Sequence, residues 1–487
     1  YLTSYKIRSL HVFWHNDTTI IIRDENPERK GMDAKQRIYT AGVLYYTVLK
    51  LRTDFQKGRQ EDVMERNDPR YQAYVEILKE ELIPAMGCTE PIALAYAAAK
   101  AREVLGVLPD SVQLQVSGSI IKNVKSVIVP NTGHLKGMEA AVAAGIIAGS
   151  AEKELEVISE VSEEKKSAIR DYLQTVPITI EHTEQGHVFD IVVTERCGQD
   201  YARVRIADYH TNICRIEKNG TVLYEVPLLD ETVQEDARAD RSLLNMQDIW
   251  DFAETADLRD VADLLERQIR YNNAIAEEGL LGDYGANIGR VLLTTYGNDV
   301  SNRAKAKAAA GSDARMNGCE LPVIINSGSG NQGITCSVPL IEYAKELHSG
   351  KEKLYRALII SNLVAIHEKT GIGTLSAYCG AVSAGAGAGA GIVYLCGDGY
   401  QAAIHTVVNA LAIVSGIVCD GAKASCAAKI ASSVDAALLG YNMYKCNQEF
   451  KGGDGIVMKD IETTIKGIGR LGKDGMKETN EEIIRLM

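Results

Sequence analysis

From Thr370 to Gly397 the chain carries no charged side chain, and within that run glycine alternates with alanine at Gly385, Gly387, Gly389 and Gly391. A second uncharged run follows from Gly399 to Cys419. Either run is long enough to span a bilayer. Gly and Ala carry little transfer energy, however, and Tyr378, Tyr400, Gln401, His405 and Asn409 add polar cost. The runs are therefore expected to be helices buried in a protein core, not membrane spans. On a helix Gly385 and Gly389 lie one turn apart, where the missing side chains let another backbone approach closely. The other reading of a Gly-rich stretch is a flexible linker. The absence of Pro and charge between Ala384 and Gly391 favours packing.

A core of that kind needs a long chain. The chain has 487 residues, enough for two or three domains, with 46% hydrophobic and 24% charged side chains, as in an ordinary globular protein. The formal net charge of −12 argues against nucleic acid and anionic membranes as partners. Ten cysteines occur without a basic and apolar leader at the start of the chain. This places the protein in a reducing, cytoplasmic setting, where cysteines are core residues, ligands or nucleophiles.

Residues 1–63 are rich in Tyr, Arg and Asp with weak periodicity, and read as an atypical or mis-called leader. Residues 64–107 predict two helices, Tyr71–Ile83 and a second running from a Thr89 cap to near Gly106, broken at Pro84, Met86 and Gly87. Residues 108–239 change period. Alternation at Val112, Leu114 and Val116 and at Ile178–Ile180, Phe189–Val193, Ala202–Ile206, Ile213–Ile216 and Val222–Val226 predicts strands. Helices are expected at Met138–Ala148 and Glu152–Leu173, which makes this an α+β domain. Residues 240–487 read as nearly all helix. The expected fold class is α+β: a mainly helical domain with a separate α+β domain inserted after the N-terminal helices.

Three cysteines stand in unusual settings. Cys88 lies in Met86-Gly87-Cys88-Thr89-Glu90-Pro91, just before a helix, where the dipole is expected to lower the pKa of its thiol. Cys379 heads the glycine-rich helix, and Cys419 lies where an apolar helix meets a turn, seven residues before Cys426. Cys197, Cys214, Cys396 and Cys446 read as structural, and Cys336 is ambiguous. No C-x-x-C pair is present, so zinc-ribbon and ferredoxin spacings are absent. The segment Asn326-Ser327-Gly328-Ser329-Gly330-Asn331-Gln332-Gly333 lacks the Lys-Ser/Thr of a phosphate loop, and a carboxylate-binding nest and a plain turn are its two readings. Lys122-Asn123, His210-Thr211-Asn212 on a strand, and Ser312-Asp313-Ala314-Arg315 complete the polar motifs.

With these motifs in this order, the chain from Met64 onward resembles the L-cysteine desulfidase family, relatives of the α domain of iron–sulfur L-serine dehydratases. The matching stretches also include Leu375-Ser376-Ala377 with Cys379, and Cys419-Asp420-Gly421-Ala422 with Ser425-Cys426. The resemblance implies a [4Fe-4S] cluster held by Cys88, Cys379 and Cys419. Cys426 matches the region where serine dehydratases place a ligand and is the rival to Cys88. It also implies β-elimination of L-cysteine to pyruvate, ammonia and hydrogen sulfide. The open iron would take the substrate sulfur, and the carboxylate would sit among Asn123, Arg315, Ser327, Gly328, Ser329, Gly330 and Asn331. His210, Lys122 and Glu90 are the candidate bases. L-Serine dehydration on the same cluster, and a non-catalytic iron–sulfur redox sensor, are the alternatives. A homodimer is the base-rate expectation.

Overall fold

The structure is a computed structural model that describes residues 64–183, 187–228, 238–373 and 375–487, with the backbone of 2–7, 10–15 and 19–24. The chain divides into two units, Tyr1–Val63 and Met64–Met487. In the first unit, β1 (Leu2–Ile7), β2 (Leu10–His15) and β3 (Thr19–Asp24) form an antiparallel meander, with Leu2 opposite His15 and Leu10 opposite Asp24. The rest of the expectation for residues 1–63 lies outside the described residues.

The second unit opens with α1 (Pro69–Glu81). Pro69 sits in its first turn, and the Asp68 carboxylate accepts from the Arg70 N–H at 2.8 Å, so the start is capped chemically. The break after α1 is a short strand, β4 (Pro84–Met86). Helix α2 (Thr89–Leu105) follows. Its cap position is Cys88 rather than the expected Thr89, whose hydroxyl is drawn away to the Gly328 carbonyl at 2.9 Å.

The mixed region runs β5 (Ser111–Ser117), α3 (Gly118–Val124), α4 (Met138–Ala148), α5 (Glu163–Thr175), β6 (Ile178–Thr183), β7 (Asp190–Cys197), β8 (Asp200–Ala207), β9 (Ile213–Lys218) and β10 (Thr221–Glu225). The sheet order is β10-β9-β8-β7-β5-β6, and only β5 and β6 pair in parallel. The helix expected over Glu152–Leu173 is two pieces. Glu154 takes a positive φ of 46° inside a 3₁₀ turn, and Ser162 then caps α5 afresh by accepting from the Lys165 N–H. Helix α2 is buried on nearly every side, between β7 and β8 and helix α4. At the crossing of α2 with α4, a Cβ on Gly145 would lie 2.2 Å from the Ala95 carbonyl oxygen, so only glycine allows that approach.

The helical region runs α6 (Met246–Thr255), α7 (Ala262–Leu281), α8 (Ile288–Tyr296), α9 (Val300–Met316), β11 (Pro322–Ile324), α10 (Gly330–Glu346), α11 (Lys351–Ile372), α12 (Gly380–Cys396), α13 (Tyr400–Val414), α14 (Ser425–Lys445), α15 (Ile461–Arg470) and α16 (Lys477–Leu486). Strand β11 pairs antiparallel with β4, Val323 facing Ala85, and ties the two regions together. The glycine-rich α12 is the central helix, packed by α10, α11, α13 and α14. Added Cβ atoms show two separate glycine seams. Those on Gly385 and Gly389 would meet Ser433 and Ala437 of α14 at 2.8 Å, and that on Gly387 would meet the Ser361 carbonyl of α11 at 2.4 Å. Among the described residues, no helix is long and apolar enough to cross a membrane.

Candidate active site

A cavity of about 100 Å³ opens where the helix starts of α2, α10, α12 and α14 converge. Four cysteines line it: Cys88, Cys379, Cys419 and Cys426. Cys88 and Cys379 are the residues capping α2 and α12, and Cys426 lies in the first turn of α14. Cys379 and Cys419 are placed by a short antiparallel bridge between Tyr378 and Val418. The Cys379 N–H donates to the Ile417 carbonyl at 3.2 Å, and the Cys419 N–H donates to the Ala377 carbonyl at 2.6 Å. Alternation along paired strands then puts these two side chains diagonally on one face.

The Asn326–Gly333 segment is not one continuous nest. Ser327 (φ 48°) and Gly328 (φ 75°) form a tight turn closed by Asn326 and Ser329, and Gly330 begins α10. The first-turn N–H groups of α10 lack intrahelical acceptors, which makes this end attractive to an anion. Asn326 is fixed from below, its amide donating to the Asn362 side chain at 3.0 Å, and Asn362 in turn pairs with Gln268. Strand β11 precedes the loop and pairs antiparallel with β4.

Glu90, in the first turn of α2, gathers the neighbouring polar groups. The Cys88 thiol donates to Glu90 Oε2 at 3.0 Å, and the Asn123 amide donates to Oε1 at 2.9 Å. His210 Nε2 stands 3.9 Å from Oε1, a charge contact too long for a hydrogen bond. Burial opposes ionisation of Glu90, but His210 and the Cys88 thiol outweigh it and bring the carboxyl down to about 2. His210 lies in the turn between β8 and β9, not on a strand as expected, with its ring packed edge-on against Phe189.

Burial pushes the Cys88 thiol well above its usual range, and the Glu90 carboxylate adds to this. The helix-dipole expectation for Cys88 is therefore overturned in the pocket as it stands: loss of water and a neighbouring carboxylate outweigh the dipole. Burial also raises Cys379, to about 12, with Cys419 adding to the effect. Cys426 rises for the same two reasons. Such thiols ionise readily only beside a cation.

Arg315, in the last turn of α9, is buried at 2% exposure. Among the described residues its Nε and Nη2 have no hydrogen-bond partner, and neither do His210 Nε2, Asn123 Oδ1, Asn331 Oδ1 or Gln332 Oε1. That many unpartnered polar atoms around one cavity mark a site for a polar ligand. Ser327, Gly328 and Ser329 line the cavity as well. Lys122 and Gly330 are not in the wall. Lys122 lies behind it, its Nζ donating to Asn480 Oδ1 at 2.6 Å and to the Cys419 carbonyl at 3.2 Å. Gly330 makes room for Arg315, since a Cβ there would lie 2.3 Å from Arg315 Nε.

Lys369 of α11 also lines the cavity and has no counterpart in the sequence reading. Burial pulls its ammonium down to about 8, against the opposing pull of Cys419 and Cys379. Its only sequence signal is its place as the last charge before the long neutral run.

The model of the serine dehydratase alpha chain matches residues 152–485. The chain belongs to the serine dehydratase alpha chain family. The part matching this family includes His210, Arg315, Lys369, Cys379, Cys419 and Cys426, while Cys88 and Glu90 precede it. Over 424 residues the chain is 62% identical to a UPF0597 protein of Desulfitobacterium hafniense, covering 87% of this chain and 98% of that relative. UPF0597 proteins of Lachnoclostridium phytofermentans and Treponema denticola are 53% and 47% identical, each over 99% of their own length.

Proposed function

We propose that this member of the serine dehydratase alpha chain family is an iron–sulfur lyase that eliminates sulfide from L-cysteine, giving pyruvate and ammonia. One observation carries the reading: four thiols share a cavity with the Arg315 guanidinium, two of whose nitrogens have no hydrogen-bond partner among the described residues. The serine dehydratase alpha chain match supports a lyase of iron–sulfur type. Sulfur donors suit a soft iron centre. Among the described residues, no three His, Cys, Asp or Glu side chains converge as a site for one metal ion. Cys88, Cys379 and Cys419 would hold the cluster, with Cys426 the alternative to Cys88.

When bound, a three-ligand cluster supplies an open iron that acts as a Lewis acid toward the leaving sulfur. The protein's own residues do the rest. Arg315 offers its guanidinium to the substrate carboxylate, beside the first-turn N–H groups of α10. Negative charge that develops toward the carboxylate as the Cα proton leaves is stabilised there. His210, whose Nε2 has no hydrogen-bond partner among the described residues and faces Glu90 Oε1 at 3.9 Å, takes that proton. Asn123 keeps Glu90 in place. Loss of the Cα proton with cleavage of the Cβ–S bond gives aminoacrylate and sulfide. The sulfide leaves as hydrogen sulfide, and water converts aminoacrylate to pyruvate and ammonia.

The test is anaerobic reconstitution with iron and sulfide followed by incubation with L-cysteine or L-serine. Sulfide and pyruvate formed in equal amounts from L-cysteine is the expected result. Pyruvate from serine alone would assign the chain to dehydration, and turnover of neither by iron-loaded protein would sink the reading. Arg315→Lys keeps the charge but loses the planar guanidinium, and should lower kcat/KM by about 10–100-fold, the cost of a charged hydrogen bond. The loss should appear mainly in KM, as measured in initial-rate assays.

A further inference from the structure

We infer that Asn480, in helix α16, is a positioning residue for the cavity: through the buried Lys122 ammonium it holds the segment that carries Cys419. The inference rests on the lyase reading above only in giving Cys419 a part in the chemistry.

Lys122 is 2% exposed, and its Nζ joins two distant parts of the chain. It donates to the Asn480 Oδ1 at 2.6 Å and to the Cys419 carbonyl at 3.2 Å. Both acceptors are neutral, and among the described residues no carboxylate pairs with this ammonium. An ammonium taken out of water is costly unless its acceptors stay in place, so each of the two oxygens fixes the other through it. The Asn480 amide also donates to Ser119 Oγ at 3.4 Å, so both ends of this side chain rest on α3. The loop after Cys419 meets the same lysine by its backbone. Gly421 has a φ of 97°, and a Cβ on it would lie 2.2 Å from the Lys122 carbonyl oxygen. Helix α3 thus serves two walls of the cavity, Asn123 holding Glu90 beside Cys88 and Lys122 holding Cys419.

The segment that carries Cys379 is backed by the same stretch of chain. The Ser376 hydroxyl accepts from the Tyr378 N–H at 2.9 Å and donates to the Gly472 carbonyl at 2.6 Å. Gly472 belongs to the π turn Leu471–Gly475 just ahead of α16, and a Cβ on it would lie 3.2 Å from the Tyr378 Cβ. Each half of the Tyr378–Val418 bridge is therefore tied, through one intervening side chain, to residues 472–480. None of the described residues of α16 is buried. A helix with so little apolar burial is held mainly by its specific contacts, which makes the Asn480–Lys122 bond the tie that sets where α16 and the Cys419 segment lie.

The experiment follows alkylation by iodoacetamide of the full chain after treatment with a chelator, each cysteine resolved by mass spectrometry, for wild type, Asn480→Ala and Asn480→Asp. Asn480→Ala removes the acceptor and leaves the ammonium, so a faster rate at Cys419 reports movement and not lost charge. That rate should rise about tenfold, as expected when one hydrogen bond to a charged group no longer opposes local opening. Cys88 and Cys426 should stay within about twofold of wild type, since their segments make no contact with Asn480. Asn480→Asp keeps an oxygen for Lys122 and should restore the protection of Cys419. An unchanged rate at Cys419, an equal rise at Cys88 and Cys426, or no rescue by aspartate overturns the inference. The equal rise would make Asn480 a support of the whole fold instead. Neither iron nor substrate enters this measurement, so its failure leaves the lyase reading standing, and failure of the lyase assay leaves the positioning of Cys419 standing.

Discussion

Replacing Cys379 or Cys419 by alanine is expected to strip the protein of iron, from about four atoms per chain to near none, and to abolish sulfide release. The two residues share one face of a bridged pair of segments, so neither can be replaced by a shift of the other. Activity should fall by well over the roughly 10–100-fold seen when a group behind a metal ligand is changed. Cys88→Ala is expected to behave the same way, and Cys426→Ala to keep its iron. The reverse pattern for this last pair would move the third ligand from the cap of α2 to the first turn of α14. Cys197→Ala and Cys446→Ala serve as controls, since these residues lie on a strand end and just past a helix end, outside the cavity. Iron analysis of the purified variants is the measurement. Equal loss in the controls and in the cavity cysteines would defeat the assignment.

The second large effect is on stability. Gly387→Val should destabilise the fold by roughly 3 kcal/mol, the upper end of what overpacking costs, and lower Tm by several degrees. The new Cβ alone would sit 2.4 Å from the Ser361 carbonyl oxygen, and a backbone atom cannot rotate away. Helix propensity works in the opposite direction, since replacing glycine in a helix gains up to about 1 kcal/mol. A destabilised variant would therefore show that packing wins. Gly416→Ala is the control, because nothing lies within 4 Å of its added Cβ, and it should change Tm little. Thermal unfolding followed by circular dichroism distinguishes the two. A Gly387→Val protein as stable as wild type would mean that α11 and α12 are not in contact at this point.

Much of this architecture is legible in the chain because it rests on local periodicity. The strand alternation around Val112–Val116 and the helix over Met138–Ala148 appear where the apolar spacing puts them. The glycine seam of α12 is readable for the same reason, at least for Gly385 and Gly389. The second seam, through Gly387, depends on which neighbour lies on the opposite side, and spacing does not say. The misses have a common cause. Strands β4 and β11 have three residues each, too few for a period, and exist because each supplies the other's hydrogen bonds. The charged stretch at Glu152–Leu173 looks continuous because charges hide a break made by one backbone angle at Glu154. The expected acidity of Cys88 came from its helix end alone, while burial and Glu90 decide it in three dimensions. Lys369 sits in a helix whose pattern gives no hint that its end faces a cavity.

The cavity wall is assembled from residues as distant in the chain as Cys88 and Ile430. A ribosome therefore emits the first sulfur long before the last piece of wall exists. During that interval Cys88 lacks the other three cavity cysteines, which lie at 379, 419 and 426. On the proposed cluster reading, loading would wait until synthesis is nearly complete, and cells starved of iron are expected to accumulate a finished apoprotein rather than a stalled fragment.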